Sequence, residues 1–164
     1  MRKTKTTNIN PLVQARQNSL DVFSDISHRL ENVRTWNGID FVNDSKSTDL
    51  ESTLLSLESI KSPIVWVVGS SELERDFSIV EKLVRLKVKS IISFGEYRGV
   101  VQKALAELTD VYAHHENLKD CFETIISKSR SGDVVIFSPA CSSYELYENF
   151  RDRGNHFKSL VNEL

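Results

Sequence analysis

The sequence predicts an α/β domain: a Rossmann-like, mostly parallel twisted sheet flanked by helices, with an antiparallel hairpin at its front. Three observations carry that reading. Ile64-Val65-Trp66-Val67-Val68, residues 88–94 and Val134-Val135-Ile136-Phe137 are short apolar runs of the kind found in strands covered on both faces. Segments with apolar residues at helical spacing alternate with them. Ahead of both, residues 32–37 and 39–42 flank Asn37-Gly38, the strongest short-range hairpin signal.

The elements follow in order. Asn8-Ile9-Asn10-Pro11 reads as a turn, with a weakly patterned helix at residues 13–22. After the hairpin, Leu50, Leu54, Leu57 and Ile60 form a helical stripe, with Thr48 and Glu51 as a capping box and Lys61-Ser62-Pro63 as its stop. Gly69-Ser70-Ser71 closes the next strand, and Asp76 is placed to cap a helix carrying Ile79, Val80, Leu83, Val84 and Leu86. Gly95 ends the strand at 88–94, before a stripe of Val100, Val101, Ala104, Leu105 and Leu108. A short strand at 110–113 precedes a helix capped by Asn117, with Asp120 in its first turn. Gly132 leads into the last strand. Ser142 and Glu145 read as a second capping box opening the final helical stretch, which Gly154-Asn155 is expected to break in two.

Bulk properties narrow the function. A net charge of -2 and a pI near 6.1 argue against a general nucleic-acid binder, while leaving room for a small anion. Two cysteines without CxxC spacing fit a reduced, cytoplasmic protein. No apolar run approaches the length of a membrane span. The basic start, Met1-Arg2-Lys3-Thr4-Lys5, has no apolar stretch behind it and is expected to be a ragged end or the stub of a domain boundary rather than a secretory signal. GxxxxGK[ST], GxGxxG and GxSxG are all absent, and the adjacent His114-His115 lacks metal-site spacing.

Open parallel sheets put their chemistry at the carboxyl ends of strands, which directs attention to two clusters. In Asp44-Ser45-Lys46-Ser47-Thr48-Asp49, Asp44 can meet sugar hydroxyls or a cation, Lys46 a phosphate, and Thr48 an anion at a helix N-terminus. Equally, Asp44 can close the strand, Thr48 cap the helix and Lys46 stand in water. In Ser138-Pro139-Ala140-Cys141-Ser142-Ser143, the hydroxyls can hold a carboxylate or simply cap a helix over a small buried cysteine. His28-Arg29-Leu30-Glu31 puts two cation-capable groups just before the first strand, where a partner domain can present a phosphate; a solvated charged turn is the plainer reading.

In this order, His28-Arg29-Leu30-Glu31, Asn37-Gly38, residues 41–48, Asp76-Phe77, Phe94-Gly95, Gly132-Asp133, residues 138–143, Asn149-Phe150 and Arg153-Gly154-Asn155 resemble the carboxy-terminal domain of the Mur ligases. The resemblance covers residues 28–164 and leaves 1–27 as an extension or inter-domain linker. It implies an ATP-dependent amide ligase that adds D-glutamate to UDP-N-acetylmuramoyl-L-alanine in peptidoglycan synthesis, through an acyl phosphate that the incoming amine attacks. It implies ATP and magnesium in the complete enzyme, and two further domains, one holding the UDP-substrate and one carrying the P-loop. It also implies roles: Asp44 on the ATP ribose, Lys46 and Arg29 near the phosphates, His28 near the reacting end, Thr48 and Ser143 on the carboxylates of D-glutamate, and Tyr144 and Phe150 completing that pocket. The alternative is a diverged, non-catalytic domain that binds a nucleotide, a small carboxylate or a protein partner. Leu73 stands where the family has a carboxylate-pairing lysine, between Glu72 and Glu74; Arg75 is a nearby cation able to swing in, but arginine does not replace lysine neutrally at a precise site.

Overall fold

The computed structural model describes residues 27–164; the turn at 8–11 and the helix at 13–22 lie outside the described residues. The hairpin forms as expected, β1 (Glu31–Trp36) and β2 (Ile39–Asn43) turning on Asn37 and Gly38, both at positive φ as a tight hairpin turn of this type requires. Then come α1 (Leu50–Ser59), β3 (Ile64–Gly69), α2 (Ser78–Lys87), β4 (Val88–Phe94), α3 (Arg98–Leu105), β5 (Val111–His115), α4 (Leu118–Lys128), β6 (Val134–Phe137) and α5 (Phe150–Asn162). The strands form one sheet in the order β1-β2-β6-β3-β4-β5, antiparallel between β1 and β2 and parallel elsewhere.

The continuous apolar runs are buried on both faces, as their composition demands. On one face Phe41, Val67, Val135 and Phe137 pack against Phe122 of α4 and Phe157 of α5, with the Phe137 and Phe157 rings stacked 4.6 Å apart. On the other, Trp66, Val68, Ile91 and Ile136 meet Leu57 of α1, Val80 and Val84 of α2, and Val101 and Leu105 of α3. Each tryptophan indole N–H is used: Trp66 donates to Ser138 O (2.7 Å) and Trp36 to Leu164 O (3.0 Å). Among the described residues no helix is long and apolar enough to cross a membrane.

Helix starts differ from the capping boxes read in the sequence. The α1 cap is Asp49, whose carboxylate accepts from Ser52 N–H at 2.7 Å. The preceding loop is closed by Lys46 N–H donating to His28 O and Ser47 N–H to Asp44 O, both at 2.9 Å, so the side chain that reaches the free amides comes one residue after Thr48. No helix begins at Ser142. Residues 142–149 form a turn in which Ser143 O accepts from Tyr147 N–H (2.9 Å), and α5 starts only where Asn149 accepts from Arg151 and Asp152 N–H, each at 2.9 Å. α2 likewise starts at Ser78, with Asp76 accepting from its N–H (3.0 Å).

Gly154-Asn155 does not divide the last helix; α5 runs through it. The glycine is there because the helix approaches the hairpin closely. A Cβ at Gly154 would lie 2.2 Å from His28 Nδ1 and 3.0 Å from Asn43 Nδ2. Alanine in a helix interior normally gains about 1 kcal/mol over glycine. Here the His28 ring is buried and bonded to Asn43, so it cannot step aside freely. Gly154→Ala is expected to lower stability by about 1–3 kcal/mol, as overpacking does, in a urea titration; a stabilised variant would show that the helix has room.

Candidate functional site

β2, β6 and β3 are neighbours in the sheet, so the loops leaving their carboxyl ends abut. These are residues 44–49, 138–149 and 70–77. Three buried or half-buried charges join them.

Asp44 is fully buried. Its Oδ1 accepts from Leu30 N–H (3.1 Å), and its Oδ2 from Ser47 Oγ and Ser138 Oγ, both at 2.7 Å. Ser138, having given its proton to Asp44, accepts from Thr53 Oγ1 (3.0 Å). Burial pushes the Asp44 carboxyl above the usual aspartate range, and the hydroxyl and N–H donors pull it back. The carboxylate that the resemblance puts on the ATP ribose faces inward here, and its donors are protein groups tying residue 30 to two loops.

Arg153, on the buried face of α5, is 1% exposed. Its Nε donates to Ser45 Oγ (3.1 Å), Nη2 to Ser45 O (2.9 Å), and Nη1 to Cys141 O (2.9 Å) and Ser142 O (3.1 Å). Arg75 approaches the same loop from the other side, donating to Gly69 O and Ala140 O, both at 2.7 Å, with its guanidinium 4.8 Å from the Phe77 ring centroid. Arg75 is thus pinned by backbone carbonyls rather than free to swing toward position 73. Ala140, between the two arginines, takes a left-handed φ of 54° and donates its N–H to Ser47 O (3.0 Å).

On this frame Thr48, Ser142, Ser143, Tyr144 and Phe150 line one concavity of about 300 Å³. The four residues expected to hold the amino acid are thus brought together from two loops and the start of α5. Thr48 is exposed, Ser143 nearly buried, and Tyr144 extends into solvent. Lys46 Nζ lies 6.0 Å from the Phe150 ring centroid, and the Arg151 guanidinium 4.9 Å from the same centroid. Beyond Thr48 and Ser142 the concavity opens into a groove of about 390 Å³, lined by Asp49, Glu51, Glu74, Asp76 and Glu145 and by Leu73, which is 71% exposed.

His28 is not presented as a catalytic cation. Its ring is 4% exposed, at a left-handed φ of 66°, and Nδ1 accepts from Asn43 Nδ2 (2.9 Å). The Asn43 amide also donates to Glu31 Oε2 (2.9 Å), which fixes its orientation and leaves His28 Nδ1 unprotonated. Burial holds the His28 pKa below its ordinary value; Glu31 raises it, while Lys158 and Arg151 lower it further. Arg29, half-buried between His28 and Leu30, stands beside this cluster. Burial raises both thiols, Cys121 to about 12, so neither is a ready nucleophile. His114 and His115 lie in β5, bonded to Ser93 Oγ (2.7 Å) and Thr124 Oγ1 (2.9 Å). Among the described residues no cluster of three or more His, Cys, Asp or Glu is arranged to hold a metal.

Arg153 was not singled out as a site residue from sequence, although a signal for it exists. It stands four residues before Phe157 and seven before Leu160, on the apolar stripe, so the helical period itself places a guanidinium on the buried face. Arg75 was named in the sequence only as a cation near Leu73; nothing in its aperiodic loop signals its place against the carbonyls of Gly69 and Ala140.

A family model described as "Mur ligase, glutamate ligase domain" matches residues 28–141. The chain is 35% identical over 146 residues to UDP-N-acetylmuramoylalanine--D-glutamate ligase of Cytophaga hutchinsonii, covering 89% of this chain and 32% of that protein. It is 39% identical over 153 residues to the enzyme of the same name from Natranaerobius thermophilus, covering 90% and 32%. The chain therefore spans about a third of the length of these relatives. Among solved structures, MurF ligase from Thermotoga maritima in complex with ADP superposes with a TM-score of 0.50 at 13% identity, over 84% of this chain and 32% of that one. A murein peptide ligase from Psychrobacter arcticus superposes with a TM-score of 0.53 at 11% identity, over 85% and 29%. At such identities the structural matches speak for the fold alone.

The buried histidine has a pH consequence. The unfolded chain binds a proton near pH 6.5 that the folded His28 ring resists, so His28's contribution to stability is complete above that value and is lost as pH falls through the lower folded pKa. Unfolding free energy measured in urea from about pH 7.5 down to about pH 5 is expected to decline. His28→Gln should flatten part of the slope, the remainder coming from His114, whose pKa is also lowered by burial and by Arg98. An identical slope in the variant would contradict this account of His28.

Proposed function

The chain belongs to the Mur ligase family through its glutamate ligase domain, and from that membership we propose that it is the amino-acid-presenting domain of an ATP-dependent ligase joining D-glutamate to UDP-N-acetylmuramoyl-L-alanine in peptidoglycan synthesis. The observation that carries the reading is the convergence of Thr48, Ser143 and Phe150 on one concavity beside Lys46. Relatives of that name, matched over about nine-tenths of this chain, support the choice of amino acid.

In this reading Thr48 and Ser143 hold carboxylate oxygens of D-glutamate through hydroxyl and backbone N–H donors, and the Phe150 ring walls the pocket. The bound amino acid presents its neutral amine to an acyl phosphate made from the muramoyl-alanine carboxylate. The amine nitrogen bonds to the acyl carbon as the C–O bond to phosphate breaks, and the proton it loses passes to the departing inorganic phosphate. Lys46, with Arg29 nearby, stabilises negative charge on the transferring phosphoryl group. His28 serves as a neutral strut rather than a proton carrier. Domain closure brings the amine within reach of the acyl carbon, so positioning supplies much of the rate.

ATP use follows, in this reading, from membership of the Mur ligase family. By the family resemblance, magnesium and the P-loop belong to a central domain and the UDP-substrate to an amino-terminal one. Residues 1–27 then lead in from that central domain, and residues 28–164 form the domain itself. The substrates and ATP place the enzyme in the cytoplasm.

Calorimetric titration of D-glutamate into the chain tests the reading. Binding that Ser143→Ala weakens about tenfold, the loss of one hydrogen bond to a charged group, supports it; no binding at millimolar D-glutamate would overturn it. Leu73→Lys adds a cation to a groove rimmed by carboxylates and should tighten D-glutamate up to about fivefold, the reach of an exposed ion pair. An unchanged affinity would mean that position 73 does not face the ligand. Supplied with ATP, magnesium, D-glutamate and UDP-N-acetylmuramoyl-L-alanine, the 164-residue chain by itself should release no phosphate, because it has no GxxxxGK[ST] loop; turnover by the chain alone would contradict the assignment of the P-loop to another domain.

A further inference from the structure

We propose that Arg153 is a positioning residue of the amino-acid site, one that touches no ligand and sets the separation and orientation of the two loops that do. The inference rests on the reading of the concavity as an amino-acid pocket. Its geometric half stands on the protein alone.

One planar guanidinium reaches both loops at once. Its Nε and Nη2 grip Ser45, through Oγ and the carbonyl oxygen, while Nη1 grips the carbonyls of Cys141 and Ser142. Ser45 O belongs to the peptide plane whose N–H is that of Lys46, and Ser142 O to the plane whose N–H is that of Ser143. Fixing the two carbonyls therefore fixes the direction of the two amides that follow, at the residues proposed to meet phosphate and carboxylate. Ser45 Oγ in turn donates to Phe150 O (2.8 Å), which links the same clamp to the ring that walls the pocket.

The chemistry of the clamp is unusual for a structural ion. The ion pairs among the described residues are Arg85–Glu81, Lys89–Asp133 and Lys158–Glu31, and Arg153 takes part in none of them. It is a buried cation compensated by loop oxygens, in a place where an apolar side chain of similar volume would often cost less. What an apolar residue cannot supply is a rigid fork of donors spanning two backbones. Lysine keeps the charge and much of the stem, but its single ammonium cannot serve Ser45 and Ser142 together. The contacts of Arg75 to Gly69, Pro139 and Ala140 brace the other side of the same loop without touching residues 44–49, so of the two arginines only Arg153 joins the loops, beside the bonds from Ser138 Oγ to Asp44 and from Ala140 N–H to Ser47 O.

Arg153→Lys separates positioning from folding. Amide exchange is read at Lys46 and Ala140, whose N–H groups bridge the loops to His28 O and Ser47 O, and at Val67 and Ile92 in the core strands. The expected result is exchange about tenfold faster at Lys46 and Ala140 with the core amides unchanged, together with D-glutamate affinity about tenfold weaker. Unchanged loop exchange, or equal acceleration at loop and core amides, would overturn the proposal, the second because it would mark Arg153 as a general stabiliser. If Arg153→Lys fails to fold, Ser45→Ala, which removes one acceptor and retains the buried charge, is read by the same criteria. Absence of D-glutamate binding by the unmodified chain would defeat the reading of the pocket and leave the exchange pattern to decide on the clamp.

Discussion

The structure of the site depends on the burial of the Arg153 guanidinium among loop carbonyls. A buried cation is costly unless its donors are satisfied, and backbone carbonyls in an aperiodic loop are costly unless something donates to them. Here each solves the other's problem. Residues 141 and 142 have no ladder to join, and Ser45 lies just beyond the end of β2; Arg153 supplies donors to all three. Asp44 performs the converse task, collecting a backbone N–H and two hydroxyls. A positive and a negative buried group thus clasp the same pair of loops, each through neutral dipoles. The price is stiffness, which suits the proposed role of holding an amino acid at a fixed angle.

The topology makes this clasp possible. β6 is last in sequence but lies between β2 and β3, so the loop it releases rises between the loops of the other two. α5 then returns along the hairpin, and the absence of a side chain at Gly154 lets it come close enough for Arg153 to reach both loops. The packing of Phe157 on Phe137 fixes the height of the helix, and with it the depth of the guanidinium. Core packing, the glycine and the arginine are therefore successive links in the placement of Ser143 and Phe150. Next to them, the groove around Leu73 is lined mostly by carboxylates, which would oppose a second negative charge on the proposed amino acid.

Much of this was legible in the sequence. The hairpin was readable because Asn37-Gly38 admits few alternatives, and the parallel strands because doubly covered strands need unbroken apolar runs. The nearness of residues 44–49 to 138–143 was legible because loops at the carboxyl ends of parallel strands gather at one sheet edge, whereas Tyr144 and Phe150 came from the family resemblance alone. Helix starts were misread where a loop hydrogen bond delayed the cap, at Thr48, or where a turn replaced the helix, at Ser142; local patterns do not record such tertiary bonds. Gly154 was misread as a breaker because its reason is a neighbour 126 residues away at His28, invisible to any local window. Asp44 and His28 look exposed in sequence because they are polar and near a domain edge, yet both are buried by partners that lie far along the chain. Polar type alone does not distinguish a ligand contact from a satisfied buried group.

The account's central claim is that the concavity bounded by Thr48, Ser143 and Phe150 is the seat of D-glutamate. Titration of the isotopically labelled chain with D-glutamate, and separately with L-glutamate, followed residue by residue by NMR, tests it most directly. The account predicts saturable shifts concentrated at Thr48, Ser142, Ser143, Tyr144 and Phe150, with clearly weaker binding of the L-enantiomer. Shifts centred elsewhere on the domain, or equal affinity for both enantiomers, would contradict it.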